Sequence, residues 1–281
     1  MISVIILTKN EEQDLPFCLD SLSWCSDIHV LDSGSTDRTQ EIALSYGVTL
    51  SVNEFQSFAQ QRNWAIDHCP VRHEWILFLD ADERATPEFQ TAITQAVLNA
   101  NPNCAGFFCC WKMMLASTWL KRADNFPKWQ FRLFRKGRAR FIDVGHGQKE
   151  GLVQGRIDYL REPYLHYAFS GGWQLWEERH RRYAREEAAE RRQRAINLTR
   201  IFSPHASQRN PAIKHCLGNL PGWPWFRFFY SYFLKGGWME GPHALEYCKR
   251  IKWYESLIQY ELRSLPSRSA EDRKSPKSNQ Q

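Results

Sequence analysis

Short β-branched runs alternate with longer helical patterns through the first hundred residues. Ser3 to Leu7 reads as a strand, Pro16 to Ser23 as a helix, Ile28 to Leu31 as a strand, and Thr36 to Tyr46 as a helix closed by Gly47. Val48 to Val52, Phe58 to His68, Trp75 to Leu79 and Pro87 to Asn99 continue as strand, helix, strand and helix, with Thr86 capping the last. Such a βαβ series predicts a parallel sheet covered on both faces. Its fourth strand is apolar at every position and then stops on Asp80, Asp82 and Glu83. Polar clusters also follow the first strand, from Thr8 to Glu12, and the second, from Asp32 to Asp37. Ligands of open α/β sheets collect at the carboxyl ends of the strands, so the three clusters are expected to converge on one rim.

Beyond Cys104 the pattern changes to shorter strands and Gly turns, up to His166, and predicts the rest of a mixed sheet carrying the acceptor side of the site. Trp173 to Leu198 reads as a long charged helix laced with i,i+4 pairs. In the stretch from 221 to 262, Arg227 and Lys235 flank an apolar run, Phe228 to Leu234, that precedes an amphipathic helix from Ala244 to Leu262. The run is far too short to span a bilayer but suits a helix lying in the interface, where Trp and Tyr also favour the headgroup zone. The expected organisation is a main domain over 1–200, with a nucleotide-binding half (1–100) and an acceptor half (101–170). A helical, membrane-associating region (201–263) and a disordered tail (264–281) follow.

Composition changes the picture in two places. The formal charge of +6 hides a split, because residues 1–100 carry 5 Lys or Arg against 15 Asp or Glu, while the remainder carries 32 against 16. A basic second half suits an anionic partner. Eight scattered cysteines show no zinc-like spacing and read as reduced thiols. The opening MISVIILTKNEE lacks a basic n-region and reads as a first strand, and no stretch approaches the length of a spanning helix.

Two carboxylates spaced D-x-D at the end of a buried strand are costly to hold together unless a cation neutralises them. A hard divalent ion, Mg²⁺ or Mn²⁺, fits, since it takes oxygen ligands and completes its shell with substrate phosphates. Asp82 is the better ligand candidate, and Asp80 is placed to face a ribose hydroxyl or to support the ion through water. Trp129, Arg132 and Arg135 alternate in WQFRLFR, where the tryptophan offers an apolar face to a sugar and the arginines suit acceptor phosphates.

The order SVIILTKNEE, HVLDSGSTDRT, WILFLDADE resembles glycosyltransferase family 2, over the first hundred residues. KWQFRLFRKG and the Gly-Gly-Trp-Met-Glu-Gly stretch near residue 236 resemble the subgroup similar to bacterial lipopolysaccharide-core β-glucosyltransferases. The resemblance implies an α/β, GT-A-type nucleotide-sugar-binding sheet, mostly parallel, with a helical aromatic appendage. It implies Thr8, Asn10 and Glu11 around the nucleobase and ribose, Asp32 on the base edge, and Arg62 at the diphosphate. It also implies a C-terminal histidine on the metal, for which His166 is the candidate. Ser33 stands where many relatives have a second Asp.

The implied reaction is inverting transfer of a hexose from a nucleotide-sugar, with a UDP-sugar the expected donor, to a glycan or lipid-linked acceptor. That places the protein in the cytoplasm, with peripheral contact to the inner membrane, in surface polysaccharide or lipopolysaccharide assembly. An acidic side chain must take the acceptor proton. Relatives often carry V-H-E where this chain reads DVGHGQKEG, which leaves Glu150, Asp143 and Asp124 as base candidates, Glu150 preferred, with His146 lining the acceptor side of the turn. Two rivals remain open, a sugar nucleotidyltransferase and a noncatalytic membrane-surface or nucleic-acid binder. The first lacks its expected Gly-rich loop in TKNEEQDLP, and the second would not require paired aspartates at a nucleotide-shaped rim, so no nucleic acid is expected.

Overall fold

The computed structural model of the chain describes residues 1–144, 147–193, 202–203, 213 and 216–264. Strands β1 (Ile2–Thr8), β2 (Ile28–Asp32), β3 (Thr49–Val52) and β4 (Trp75–Asp80) form a parallel block in the order β3-β2-β1-β4. They alternate with helices α1 (Leu15–Asp20), α2 (Thr39–Ser45) and α3 (Phe58–His68). A two-residue strand β5 (Glu83–Arg84) and helix α4 (Pro87–Leu98) follow β4.

The second half of the sheet is mixed. Strands β6 (Cys104–Leu115), β8 (Trp129–Arg135) and β11 (Arg156–His166) extend it in the order β4-β8-β6-β11-β5, while β7 (Thr118–Trp119) pairs with β6 off that path. Strand β8 runs antiparallel to both β4 and β6, and β11 runs parallel to β6. A separate hairpin, β9 (Ala139–Val144) with β10 (Gly147–Val153), lies against α3.

The unbroken apolar run of β4 follows from burial on both faces. Trp75, Leu77 and Leu79 pack with α1 and α4 residues such as Leu15, Leu19, Phe89 and Ile93. Ile76 and Phe78 point the other way, onto Ala65 and Ile66 of α3 and onto Phe134 and Phe141. The Ser57 and Thr86 hydroxyls accept the Gln60 and Phe89 backbone N–H groups at the starts of α3 and α4, caps worth about 1 kcal/mol each. Helix α2 starts at Thr39, later than its pattern predicts, because Asp37 Oδ1 accepts the Thr39 N–H at 3.0 Å and holds the preceding residues in a turn.

Helix α5 (Gly172–Gln193) crosses α7 (Pro242–Ser264), and a third core of Leu120, Ala123, Phe169, Trp176, Tyr247 and Cys248 joins them to the mixed half of the sheet. Between them lie α6 (Trp223–Phe229), a π-helical turn (Tyr230–Leu234) and a 3₁₀ turn (Gly237–Glu240). Among the described residues no helix is long and apolar enough to cross a membrane. All eight cysteines are unpaired, and six are buried. The tail expected to be disordered lies, from residue 265 onward, outside the described residues, as does the end of the predicted 173–198 helix.

Candidate active site

The three polar clusters do converge at the carboxyl ends of β1, β2 and β4. Thr8 and Asp32 are register partners on adjacent strands, and the Thr8 hydroxyl donates to Asp32 Oδ1 at 3.0 Å. Asp32 is fully buried, and its other oxygen accepts the Gly34 and Ser35 N–H groups and the Gln40 amide at 2.8–3.0 Å. Its carboxylate therefore shapes its own loop, which turns through Gly34 at φ +80°, a left-handed conformation that glycine adopts freely. Asn10, at φ 56°, accepts the Thr36 N–H at 2.8 Å and ties the first loop to the second.

Beneath the rim lies a buried charge network. Arg62 Nη2 donates to Asp80 Oδ1 at 3.1 Å; Arg132 Nη2 donates to Asp80 Oδ2 at 2.7 Å and to Glu83 Oε1 at 2.6 Å. Both arginines are about 1% exposed, whereas the Asp80 side chain is 37% exposed and forms the network's outer end. Burial pushes the Arg62 guanidinium down to about 10, against the pull of Asp80. Burial works against ionising Asp80 too, but Arg132 and Arg62 outweigh it and hold that carboxyl well below its usual range.

Asp82 sits in the turn between β4 and β5. Because β5 pairs with the end of β11, His166 opposite Glu83, the turn brings Asp82 Oδ2 to 3.4 Å from His166 Nε2. Burial alone would lower the imidazole; the Asp82, Glu83 and Asp80 carboxylates raise it to about 9. Next to the pair is a cavity of about 150 Å³ lined by Glu11, Glu12, Asp14, Asp37, Asp82 and, from α5, Arg179. Glu11 is pushed up to about 8 by burial first and by Asp82 second, with Arg179 opposing.

An acidic cavity of this kind has the chemistry of a cation site. Asp82 and His166 can supply a carboxylate oxygen and an imidazole nitrogen to one Mg²⁺ or Mn²⁺ ion. Among the described residues no cluster of three or more His, Cys, Asp or Glu is arranged to hold a metal. A two-ligand site fits ions that draw their remaining ligands from water and substrate phosphates.

The other expected site residues divide. Trp129 starts β8, and its ring meets Tyr159 edge-on. Arg132 reaches the rim from below but is committed to Asp80 and Glu83. Arg135 lies at the opposite edge of the sheet, opposite the first residue of β4, where it stacks on Trp75 and pairs with Glu74. Asp143 accepts the Ser57 hydroxyl at 2.7 Å and the Ala59 N–H at 3.0 Å, at the start of α3. Glu150 stands across the hairpin from Phe141. Asp124 is buried and accepts from the Tyr247 hydroxyl and from Lys128. His146 lies outside the described residues.

Two rim residues, Asp14 and Arg179, were not singled out by sequence, and Glu83 was noted only as part of the acidic end of β4, without a role. Asp14 joins the two halves by accepting from the Ser170 hydroxyl and from Arg84. Glu83 anchors Arg132. Arg179 is one arginine among many in a charged helix, and only its position over the cavity marks it.

The family profile of glycosyl transferase family 2 matches residues 3–147, just over half of the chain. The lipopolysaccharide core biosynthesis glycosyltransferase LpsC of Rhizobium meliloti is 27% identical over 166 residues, which are 57% of this chain and 60% of LpsC, so the match spans under two thirds of that relative. Among solved structures, S. aureus TarS (residues 1–349) superposes with a TM-score of 0.43 at 17% identity, covering 94% of this chain and 90% of that one. Mycobacterium tuberculosis glucosyl-3-phosphoglycerate synthase, in complex with Mn²⁺, UDP-glucose and phosphoglyceric acid, gives a TM-score of 0.34 at 21% identity, covering 41% and 43%.

Proposed function

The chain belongs to glycosyltransferase family 2, and on that premise we propose that it transfers a hexose, with inversion, from a UDP-sugar to a glycan or lipid-linked acceptor at the cytoplasmic face of the inner membrane. The observation that carries the reading is the Asp82–His166 pair, 3.4 Å apart at the rim and opening on an acidic cavity. The GT-A-type sheet of the family and the name of the Rhizobium relative support a donor nucleotide and a lipopolysaccharide-core acceptor.

In this reading the loops held together by Thr8, Asn10 and Asp32 form the nucleoside cradle, with Glu11 beside it. Asp80, fixed from below by Arg62 and Arg132, presents its exposed edge to the ribose or to metal-bound water. Asp82 and His166 would hold a Mg²⁺ or Mn²⁺ ion, which would supply positive charge for the departing phosphates. Arg179 faces the same phosphates from α5. Glu150 takes the proton of the attacking hydroxyl.

The test is thermal stabilisation by a panel of nucleotide-sugars, with and without Mn²⁺, on wild type and Asp82→Ala. A UDP-sugar shift that needs the ion and is lost in the variant is the expected result. Indifference of the wild type to every nucleotide-sugar overturns the reading.

A further inference from the structure

The aromatic segment after residue 220 packs on the third core through Phe228 and Tyr232 and leaves its other face in solvent. Trp225, Phe229 and Phe233 recur every four residues and stack along one face, with ring centroids 6.3 Å and then 5.6 Å apart. Leu234, Trp238 and Met239 extend the same segment, and all six side chains are between 49% and 76% exposed. A run of exposed aromatics and aliphatics this dense marks an interaction surface.

Charge identifies the partner. From Leu217 to Met239 the chain has no Asp or Glu. The neighbouring acids are already engaged: Glu240 accepts the Arg122 and Ala123 N–H groups, Glu255 accepts the Trp223 indole N–H at 3.0 Å, and Glu246 pairs with Arg250. The cations remain. Lys252 lies 3.7 Å over the Trp225 ring and Lys235 5.6 Å over the Tyr230 ring, while Arg227 donates to the Ser231 hydroxyl. None of these three cations has a carboxylate partner among the described residues. A two-fold pairing of the face with a second copy would press like charges together. Aliphatic tips such as Leu234 and Met239 also give nucleobases nothing to stack on.

The geometry points to this face as a docking surface for an anionic lipid bilayer, with α6 and the π turn lying in the interface and Lys235 and Lys252 at headgroup level. Residues 223–234 form a helical rod about 18 Å long, well short of a hydrocarbon core of roughly 30 Å, so it lies along the membrane. The inference rests on the membrane-side acceptor proposed above and supplies the residues that would meet that membrane.

The experiment is co-sedimentation of the full chain with vesicles of phosphatidylcholine alone or enriched in phosphatidylglycerol, with melting curves recorded with and without UDP-glucose and Mn²⁺. Wild type is expected to bind the anionic vesicles at least about tenfold better than the neutral ones, with binding weakened by salt. Phe229→Ser/Phe233→Ser should lose about tenfold or more, and Lys235→Gln about fivefold. Both variants should keep the wild-type melting temperature and nucleotide response. Equal binding to both vesicle types, no binding to either, or a dimer that the double variant dissolves would overturn the inference. Vesicle binding without any nucleotide response would leave the docking surface standing and remove the transfer reading instead.

Discussion

Arg132→Met tests whether the rim is held up by the buried charge network. The guanidinium is about 1% exposed and donates to Asp80 at 2.7 Å and to Glu83, itself about 1% exposed, at 2.6 Å. Methionine fills a similar volume, so little of the cost comes from a cavity. Asp80 keeps Arg62 at 3.1 Å, but Glu83 is left with no cation within ion-pair distance among the described residues. Removing one partner of a buried pair costs about 3–5 kcal/mol, because the surviving charge is neither solvated nor neutralised. For a chain of this size that is a drop of roughly 10 °C in Tm. Thermal and urea melts followed by circular dichroism give the number. The cause is isolated by Arg132→Met/Glu83→Gln, which removes the stranded charge and should recover all but about 1–2 kcal/mol. A single-variant loss below about 1 kcal/mol, or a double variant no better than the single, refutes the reasoning.

Other outcomes follow from the same structure. Glu150→Gln should bind donor normally and lose most turnover, and full activity in that variant would move the base to Asp143 or Asp124. Arg179→Ala should weaken UDP binding by about tenfold while leaving uridine binding unchanged, as measured by calorimetry, because the lost contact is to phosphate. His29 is buried against Asp27 at 3.1 Å, and burial holds its imidazole below the usual range despite that carboxylate. The unfolded chain therefore takes up the proton first, so the His29 contribution to stability should be lost as pH drops through about 6.5, against the opposite slope from Glu11, and the wild-type-minus-His29→Gln difference in denaturant melts should show that loss. Gly34→Ala, at φ +80°, should cost about 1 kcal/mol in the same melts by straining the loop after β2.

Much of the rim was legible in sequence, because a strand buried on both faces must be apolar throughout and the polar residues that end it are conspicuous. The Asp82–His166 contact could be suspected only from family resemblance. Its geometry depends on the pairing of β5 with β11, a register that no local pattern encodes. The arginines of WQFRLFR were visible as alternation, but alternation could not say that β8 would run antiparallel between β4 and β6. That placement sends Arg132 under the rim and leaves Arg135 at the far edge. Arg62 was singled out by the family resemblance, but its burial beneath the rim and its pairing with Asp80 appear only in the fold.

The short strand β5 follows β4 in the chain yet hydrogen-bonds to β11, on the other side of β8 and β6. Segments from the first and second halves of the sheet are thereby interlaced at the rim. A chimera that exchanged residues 1–100 for those of a homologue would have to rebuild the Glu83–Arg132 and Asp82–His166 partnerships across the graft. The rim in this architecture is not a detachable cassette: any swap must carry β8 and the end of β11 with it.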